Sequence, residues 1–318
     1  MRLGFPAKVL GRGGVLKDYD SRRWQSGPHL RVSLGYLNTI FDYLTEERIR
    51  MYRISSNVAP YITHPDKPQF HNQIEECAEE LAHLGERARW LDLRLSMHPN
   101  HYTVLNSPVE RVYAGAVRDL VFHGRFMDAL GLGPEAVAVV HGGGVFGDKR
   151  AATERFVERY ERLPEQARRR LVLENDEKSY NVPDVCEIHR RCGIPLVLDT
   201  LHHRANNPER LSSREAARAV IPTWPKGVRP KIHYSSDRRE DRSITRRDRN
   251  TGERVTSEAA ALRFQHADLV DADEFTAFFA DAGPLVFDVM VEAKRKDLAM
   301  LQLRADLRAR DSDRVGEK

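Results

Sequence analysis

Two short apolar runs constrain this chain more than anything else in it. Leu171-Val172-Leu173 leads straight into Glu174-Asn175-Asp176, and Leu196-Val197-Leu198 leads into Asp199-Thr200-Leu201-His202-His203. Runs of this length, rich in Leu and Val and without alternation, read as strands buried on both faces, the habit of a parallel sheet. Each ends in metal-binding residue types at the point where the strand leaves the core. Between them, 183–193 has Pro at its start, apolar residues at helical spacing and Gly at its end, which predicts a helix. The segment is therefore a β-α-β unit with an acid at the top of each strand. In an α/β barrel, that end of the strands is where chemistry is done.

The rest of the chain repeats the unit. Patterning predicts further strands at 2–5, 51–56, 94–99, 136–144, 230–236 and 284–292, and helices at 30–49, 73–90, 108–130, 149–163, 164–170, 213–220 and 273–282. A chain of 318 residues could hold one large domain or two. Eight β-α units without a break in composition favour an α/β fold with a single (β/α)₈ TIM barrel over 1–300. A basic helical and charged tail, 301–318, would follow.

Charged residues make up 31% and hydrophobic residues 41% of the chain, and the formal charge is +4. That basic excess is too small to prove a nucleic-acid partner. No apolar run is long enough to cross a membrane, and Met1-Arg2-Leu3-Gly4-Phe5 opens as a strand, without the apolar region of a signal peptide. The three cysteines, Cys77, Cys186 and Cys192, form no CxxC and read as small core residues in a reducing cytoplasm.

Six residues fall at the C-terminal ends of predicted strands: His98, His141, Glu174, Asp199, His233 and Glu292. His202 stands three residues beyond Asp199, expected at the start of the following loop. A barrel brings all of these to one mouth. Imidazole and carboxylate together suit divalent transition metals such as Mn²⁺ or Zn²⁺. The set is too large for one ion and suits two or three ions sharing a bridging carboxylate, an arrangement that serves phosphoryl displacement. Any one of these histidines alone is more often structural; the coincidence at six strand ends is what argues for metal. His83, His123 and His189 fall in helices and read as packing or surface residues, and His203 would support the ligands from behind. His141-Gly142-Gly143-Gly144 is not a phosphate-binding P-loop, since no Gly-Lys-Ser/Thr follows; its glycines would let the backbone turn beside a ligand.

Leu95-Ser96-Met97-His98-Pro99, Leu173-Glu174-Asn175-Asp176, Leu198-Asp199-Thr200-Leu201-His202-His203 and Asp288-Val289-Met290-Val291-Glu292-Ala293-Lys294 resemble, in this order and spacing, the UV damage endonuclease family. The resemblance runs from the first strand to about Asp297. That family is related to endonuclease IV and to the xylose-isomerase-like barrels. The resemblance implies a DNA repair enzyme that cuts the backbone immediately 5′ of UV photoproducts and other lesions. It implies three divalent ions, Mn²⁺ first, with Zn²⁺, Co²⁺ or Mg²⁺ as alternatives. His98 and His141 would hold one ion, bridged by Glu174 to a second held also by Asp199, His233 and Glu292. His202 and His266 would hold the third, with Asp237 as a further candidate ligand. Lys231, on the same strand face as His233, would be carboxylated; the competing expectation is an interior ion pair with Asp288. His101 and Tyr102 would probe the lesion, and His64 would lie near the substrate; the competing expectation for His64 is a solvated loop histidine beside Pro65. The chain departs from the family pattern at His101, where Gln is usual, and at Phe5, where Tyr is usual.

The partner implied is damaged double-stranded DNA, bound by a monomer in the cytoplasm. A sugar isomerase or epimerase on the same barrel is the competing function, because fold does not fix chemistry; a DNA-binding protein without catalysis would not require the ligand set. The stretch 238–254 has Ile244 as its one aliphatic residue beside many arginines, so it should be a loop or hairpin at the mouth. Arg246, Arg247 and Arg249 there would hold phosphates. The competing reading is a solvated insertion whose acids pair with its own arginines.

Overall fold

The computed structural model describes residues 1–248, 251–261 and 264–316. Eight strands form one sheet: β1 (Leu3–Pro6), β2 (Met51–Ile54), β3 (Arg94–Met97), β4 (Ala138–His141), β5 (Leu171–Glu174), β6 (Leu196–Val197), β7 (Lys231–Tyr234) and β8 (Asp288–Val291). Each is parallel to its sequence neighbour, and β1 pairs with β8. The remaining join, β6 to β7, is a bridge between Asp199 and His233, with the His233 N–H donating to the Leu198 carbonyl at 2.9 Å. The barrel thus closes at two of the residues expected to bind metal.

Helices cover the outside, as the pattern predicts. Val182–Cys192 shows why these helices are readable in the chain: Asn181 and Asp184 form a reciprocal capping box, and Gly193 ends the helix at φ 74°. The differences are local. The sixth strand proper ends at Val197, followed only by the bridge at Asp199, and Thr200–Ala205 is a helix rather than strand or loop, because the Asp199 carboxylate caps it by accepting the His202 N–H at 2.8 Å. His202 accordingly stands on a helix. The helix expected at 73–90 breaks at Cys77 into Gln73–Glu76 and Ala78–Trp90. Lys8–Val9 and Leu16–Lys17 pair as a small hairpin, too short to leave a period in the sequence. The arginine-rich stretch is also a hairpin, Arg242–Arg247 against Arg254–Ala259. The last helix, Lys296–Gly316, runs unbroken through residue 300 and buries Ala299, Met300 and Leu303.

The barrel interior is half apolar and half charged. Val139, Val172 and Val197 pack with Trp224 on one side. On the other, Arg94 of β3 meets Asp288 of β8 at 2.9 Å, both side chains fully buried. Asp288 also accepts the Arg2 backbone N–H at 2.8 Å. Asp288 is therefore not the partner of Lys231; Lys231 instead donates to the Ser96 hydroxyl at 3.1 Å. Lys231 lies beside Asp288 in the register of the two strands, yet its amine turns to Ser96 and leaves Asp288 to the Arg94 guanidinium.

Asp18 is a second buried acid, fully enclosed between the N-terminal hairpin and β2. One carboxylate oxygen accepts the Ser55 N–H at 2.7 Å and the Tyr52 hydroxyl at 3.0 Å; the other has no partner among the described residues. Burial pushes the carboxyl up to about 7, with those two donors opposing. The folded state thus holds a proton that the unfolded chain, ordinary for Asp at about 3.9, has already lost. Stability from this group should fall as pH rises from about 4 to about 7, by on the order of 4 kcal/mol. Asp18→Asn should remove that dependence. Urea midpoints of the two proteins that run parallel across this range would show that Asp18 ionises normally.

Candidate metal centre

Glu174 stands at the centre of the mouth, 1% exposed, where β5 ends. Its Oε2 lies 3.1 Å from His98 Nε2 and 3.7 Å from His141 Nε2. Its Oε1 lies 2.7 Å from His233 Nδ1 and 3.7 Å from His202 Nδ1. Two groups therefore converge on opposite oxygens of one carboxylate: His98, His141 and Glu174, and Glu174, Asp199 and His233, each with ligand atoms within 4.8 Å of one another. Glu292 joins the second group, 3.1 Å from His233 Nδ1. His266 Nε2 lies 3.8 Å from Glu292, and its other nitrogen meets the Ser235 hydroxyl.

The backbone around these residues is built for close approach. Gly143 has φ 83°, and a Cβ there would fall 2.2 Å from Asn106 Oδ1; one at Gly142 would strike the Tyr180 ring. The turn after His141 therefore requires glycine for conformation and for space. Asn175 fixes Asp199 from both sides, accepting its N–H at 2.9 Å and donating to its carbonyl at 3.1 Å.

The electrostatics are those of a site that holds cations. Burial alone would raise the Glu174 carboxyl, but the His233 and His141 imidazoles and the bonds from His233 and His98 outweigh it and hold it well below the usual range. Burial raises the Asp199 carboxyl despite His202, helped by Glu174 and Glu292. Burial lowers His98, and lowers His141 to about 4, so both rings favour the neutral, ligating form. His202 goes the other way, to about 9, because Asp199, Glu174, Glu177 and Glu292 overcome its burial. Asp199 Oδ2, His141 Nδ1 and His233 Nε2 are buried without a hydrogen-bond partner. The orphaned Asp199 oxygen, beside Glu174, Glu292 and the neutral rings of His98 and His141, fits a divalent ion, while the orphaned nitrogens of His141 and His233 are the ones turned away from Glu174.

The remaining candidates divide by position. Asp237 pairs across a bridge with His266 and lies 3.4 Å from Arg204, outside both groups. His203 turns away from the mouth to the Leu211 carbonyl at 3.1 Å. His101 lies over His141, ring centroids 5.9 Å apart. Tyr102, 69% exposed, accepts from Asn100 and lines a cavity of about 730 Å³ beside the mouth, together with His64. Phe5 is core, edge-on to Tyr52. Arg246 and Arg247 lie on the exposed hairpin, and Arg249 lies outside the described residues.

Three participants escape a search for metal ligands. Arg53, inward at the end of β2, pairs with Glu292. Glu177 lies 3.8 Å from His202. Lys296 lines the same cavity of about 360 Å³ as the ligand residues. Arg53 was findable, since it occupies a strand end like the ligands; the other two stand on turns whose direction no period reveals.

The structure is a closed α/β barrel whose mouth gathers histidines and carboxylates that could hold metal ions around one shared glutamate. Residues 33–317 match the family model described as UV-endonuclease UvdE. The UV DNA damage endonuclease of Bacillus velezensis is 33% identical over 315 residues, covering 96% of this chain and 89% of the relative. The crystal structure of SacUVDE superposes with a TM-score of 0.80 at 29% identity, covering 98% of this chain and 99% of that one. Endonuclease IV from Thermus thermophilus (TM-score 0.55, 15% identity, 97% and 98% covered) and a D-tagatose 3-epimerase-like protein (0.57, 12%, 97% and 96%) share the fold. This chain belongs to the UV-endonuclease UvdE family and is an endonuclease.

Proposed function

We propose that the protein nicks damaged double-stranded DNA immediately 5′ of UV photoproducts and other lesions, using three divalent ions, Mn²⁺ first among them. The observation that carries this reading is the position of Glu174, one oxygen toward His98 and His141 and the other toward His233. Glu174 would bridge two ions; Asp199, His233 and Glu292 would complete the second site, and His202 and His266 would hold the third, with Asp237 beside it. Such ions supply a hydroxide at neutral pH and stabilise the oxygens of an in-line phosphoryl displacement. Arg53 would keep Glu292 oriented. Burial, with Arg53 and Arg94 as like charges, pushes the Lys231 amine well below the usual lysine range. An amine held neutral supports its carboxylation, and depletion of bicarbonate should then lower activity. The test of the whole is incubation with Mn²⁺ and UV-irradiated plasmid. Nicking abolished by chelation is expected; sugar epimerisation without nicking would favour the competing barrel chemistry.

Tyr102 and His101 would enter the distorted duplex, the Tyr102 ring replacing lost stacking worth about 1–3 kcal/mol per base. The hairpin would lie along the backbone. Its register sets Arg247 directly opposite Arg254, a like-charge pair that costs stability in the free protein and suits an anion between them. One binding experiment separates the two roles. Tyr102→Ala should reduce the preference for damaged over intact duplex at constant metal content. Replacing Arg246, Arg247 and Arg249 by Ala should weaken both duplexes alike and flatten the log–log salt slope by about one unit per lost phosphate contact. An unchanged preference in the first, or an unchanged slope in the second, would rule that role out.

A further inference from the structure

The turn that follows β8 is held in a strained shape at the mouth of the barrel. Lys296 opens the last helix with φ 49°, in the left-handed region that a side chain with a Cβ seldom enters. Such a residue costs about 1–3 kcal/mol and persists where its surroundings over-determine it. Here they do so from both sides. The Lys294 and Arg295 N–H groups donate to the carbonyls of Ala267 and Asp268, at 3.0 and 3.1 Å. The next residue, Asp297, is fully buried and accepts from the Leu10 N–H at 2.8 Å, the Gly11 N–H at 2.9 Å and the Tyr43 hydroxyl at 2.7 Å. Lys296 is thereby fixed between the loop carrying His266 and the N-terminal hairpin, and it lines the cavity shared by His98, His141, Glu174 and Glu292.

Its surroundings are cationic. Burial, and then the Arg53 and Lys8 charges, push the Lys296 ammonium down, with Glu292 opposing. Arg53 is already committed to Glu292. Among the described residues the Lys296 amine has neither a hydrogen bond nor an ion pair. A half-buried amine, held by strain at the mouth of a phosphodiester-cutting site and in ion-pair contact with no acid among the described residues, lacks an acceptor that the substrate would bring.

We propose that Lys296 binds a non-bridging phosphate oxygen of the DNA strand being cut, fixing the backbone against the metal centre. The assignment rests on the incision reading above and adds a substrate-binding residue to it. Binding, rather than metal retention, is then what Lys296 contributes.

Three variants test it: Lys296→Gln, which keeps the length and removes the charge; Lys296→Gly, which removes the amine and accepts the backbone shape; and Lys296→Arg, which restores a cation. Duplex binding is measured against salt for each full-length, Mn²⁺-loaded protein, with KM and kcat on lesion-bearing duplex. Lys296→Gln and Lys296→Gly should each flatten the salt slope by about 0.9 and weaken low-salt binding several-fold, to about tenfold. KM should rise more than kcat falls, metal content should stay constant, and Lys296→Arg should recover the slope. The glycine variant should melt no lower than wild type, since φ 49° suits glycine. A slope unchanged in Lys296→Gly, or a defect in Lys296→Gln that tracks lost metal or lost fold while the glycine variant binds normally, would overturn the proposal. Absence of nicking by the wild-type protein would instead sink the incision reading, and the salt slope would still decide whether Lys296 touches phosphate.

Discussion

Glu174→Gln should abolish incision. The substitution keeps the shape of the side chain and removes the charge on which both ligand groups converge. Losing a residue that merely supports a metal ligand costs about 10–100-fold in metal affinity or activity, so losing a shared ligand should exceed about a hundredfold. Metal stoichiometry should fall with it. The fold should survive, because Glu174 lies at the rim, beyond the packed layers of the barrel. Bound metal and nicking are both read after far-ultraviolet circular dichroism establishes the fold. A folded Gln variant that nicks at the wild-type rate would remove Glu174 from the chemistry.

Asp288→Ala should produce the largest loss of stability, about 3–5 kcal/mol, since it leaves the fully buried Arg94 guanidinium without its partner. Burial already lowers Arg94, and Asp288 is the first of the groups that oppose this. The loss should appear in the denaturant midpoint, and a double replacement, Arg94→Met with Asp288→Leu, should recover much of it. That recovery separates an uncompensated charge from a cavity. A single-variant loss below about 1 kcal/mol would show that water reaches Arg94.

The legibility of this molecule follows from one periodicity. A strand exposes alternate residues to each side, so a metal-ligand type at a strand's last position fixes which of its residues point inward. From Glu292 the rule gives Met290 and Asp288; from His233 it gives Lys231; from His98 it gives Ser96 and Arg94. The buried Arg94–Asp288 and Lys231–Ser96 contacts span the barrel as that rule requires. Partner choice was not legible: Lys231 and Arg94 are both interior cations, and although Lys231 is the register neighbour of Asp288, it is Arg94 that meets the carboxylate. Residues on turns were equally hidden. His202 moved from loop to helix because the side chain of Asp199 serves as a cap, a role that its residue type allows but does not announce. Lys296 and Glu177 face the mouth through turn geometry set by distant partners.

The position of Asp288 near the end of the chain has a consequence for synthesis. While β1 to β7 emerge from the ribosome, Arg94 has no acid to accept it at the base of the barrel and Arg2 has only the exposed Asp92, because Asp288 arrives with β8. The growing sheet cannot desolvate these cations, and it keeps two unpaired edges, one on β1 and one on β7. Closure is thus deferred until β8 exists, and then completes with one strand inserted between the first and the seventh. A message that ends early yields an open sheet exposed to proteolysis and aggregation rather than a shortened nuclease. For an enzyme that breaks DNA, assembly that waits for the last strand keeps incomplete translation products from becoming active cutters.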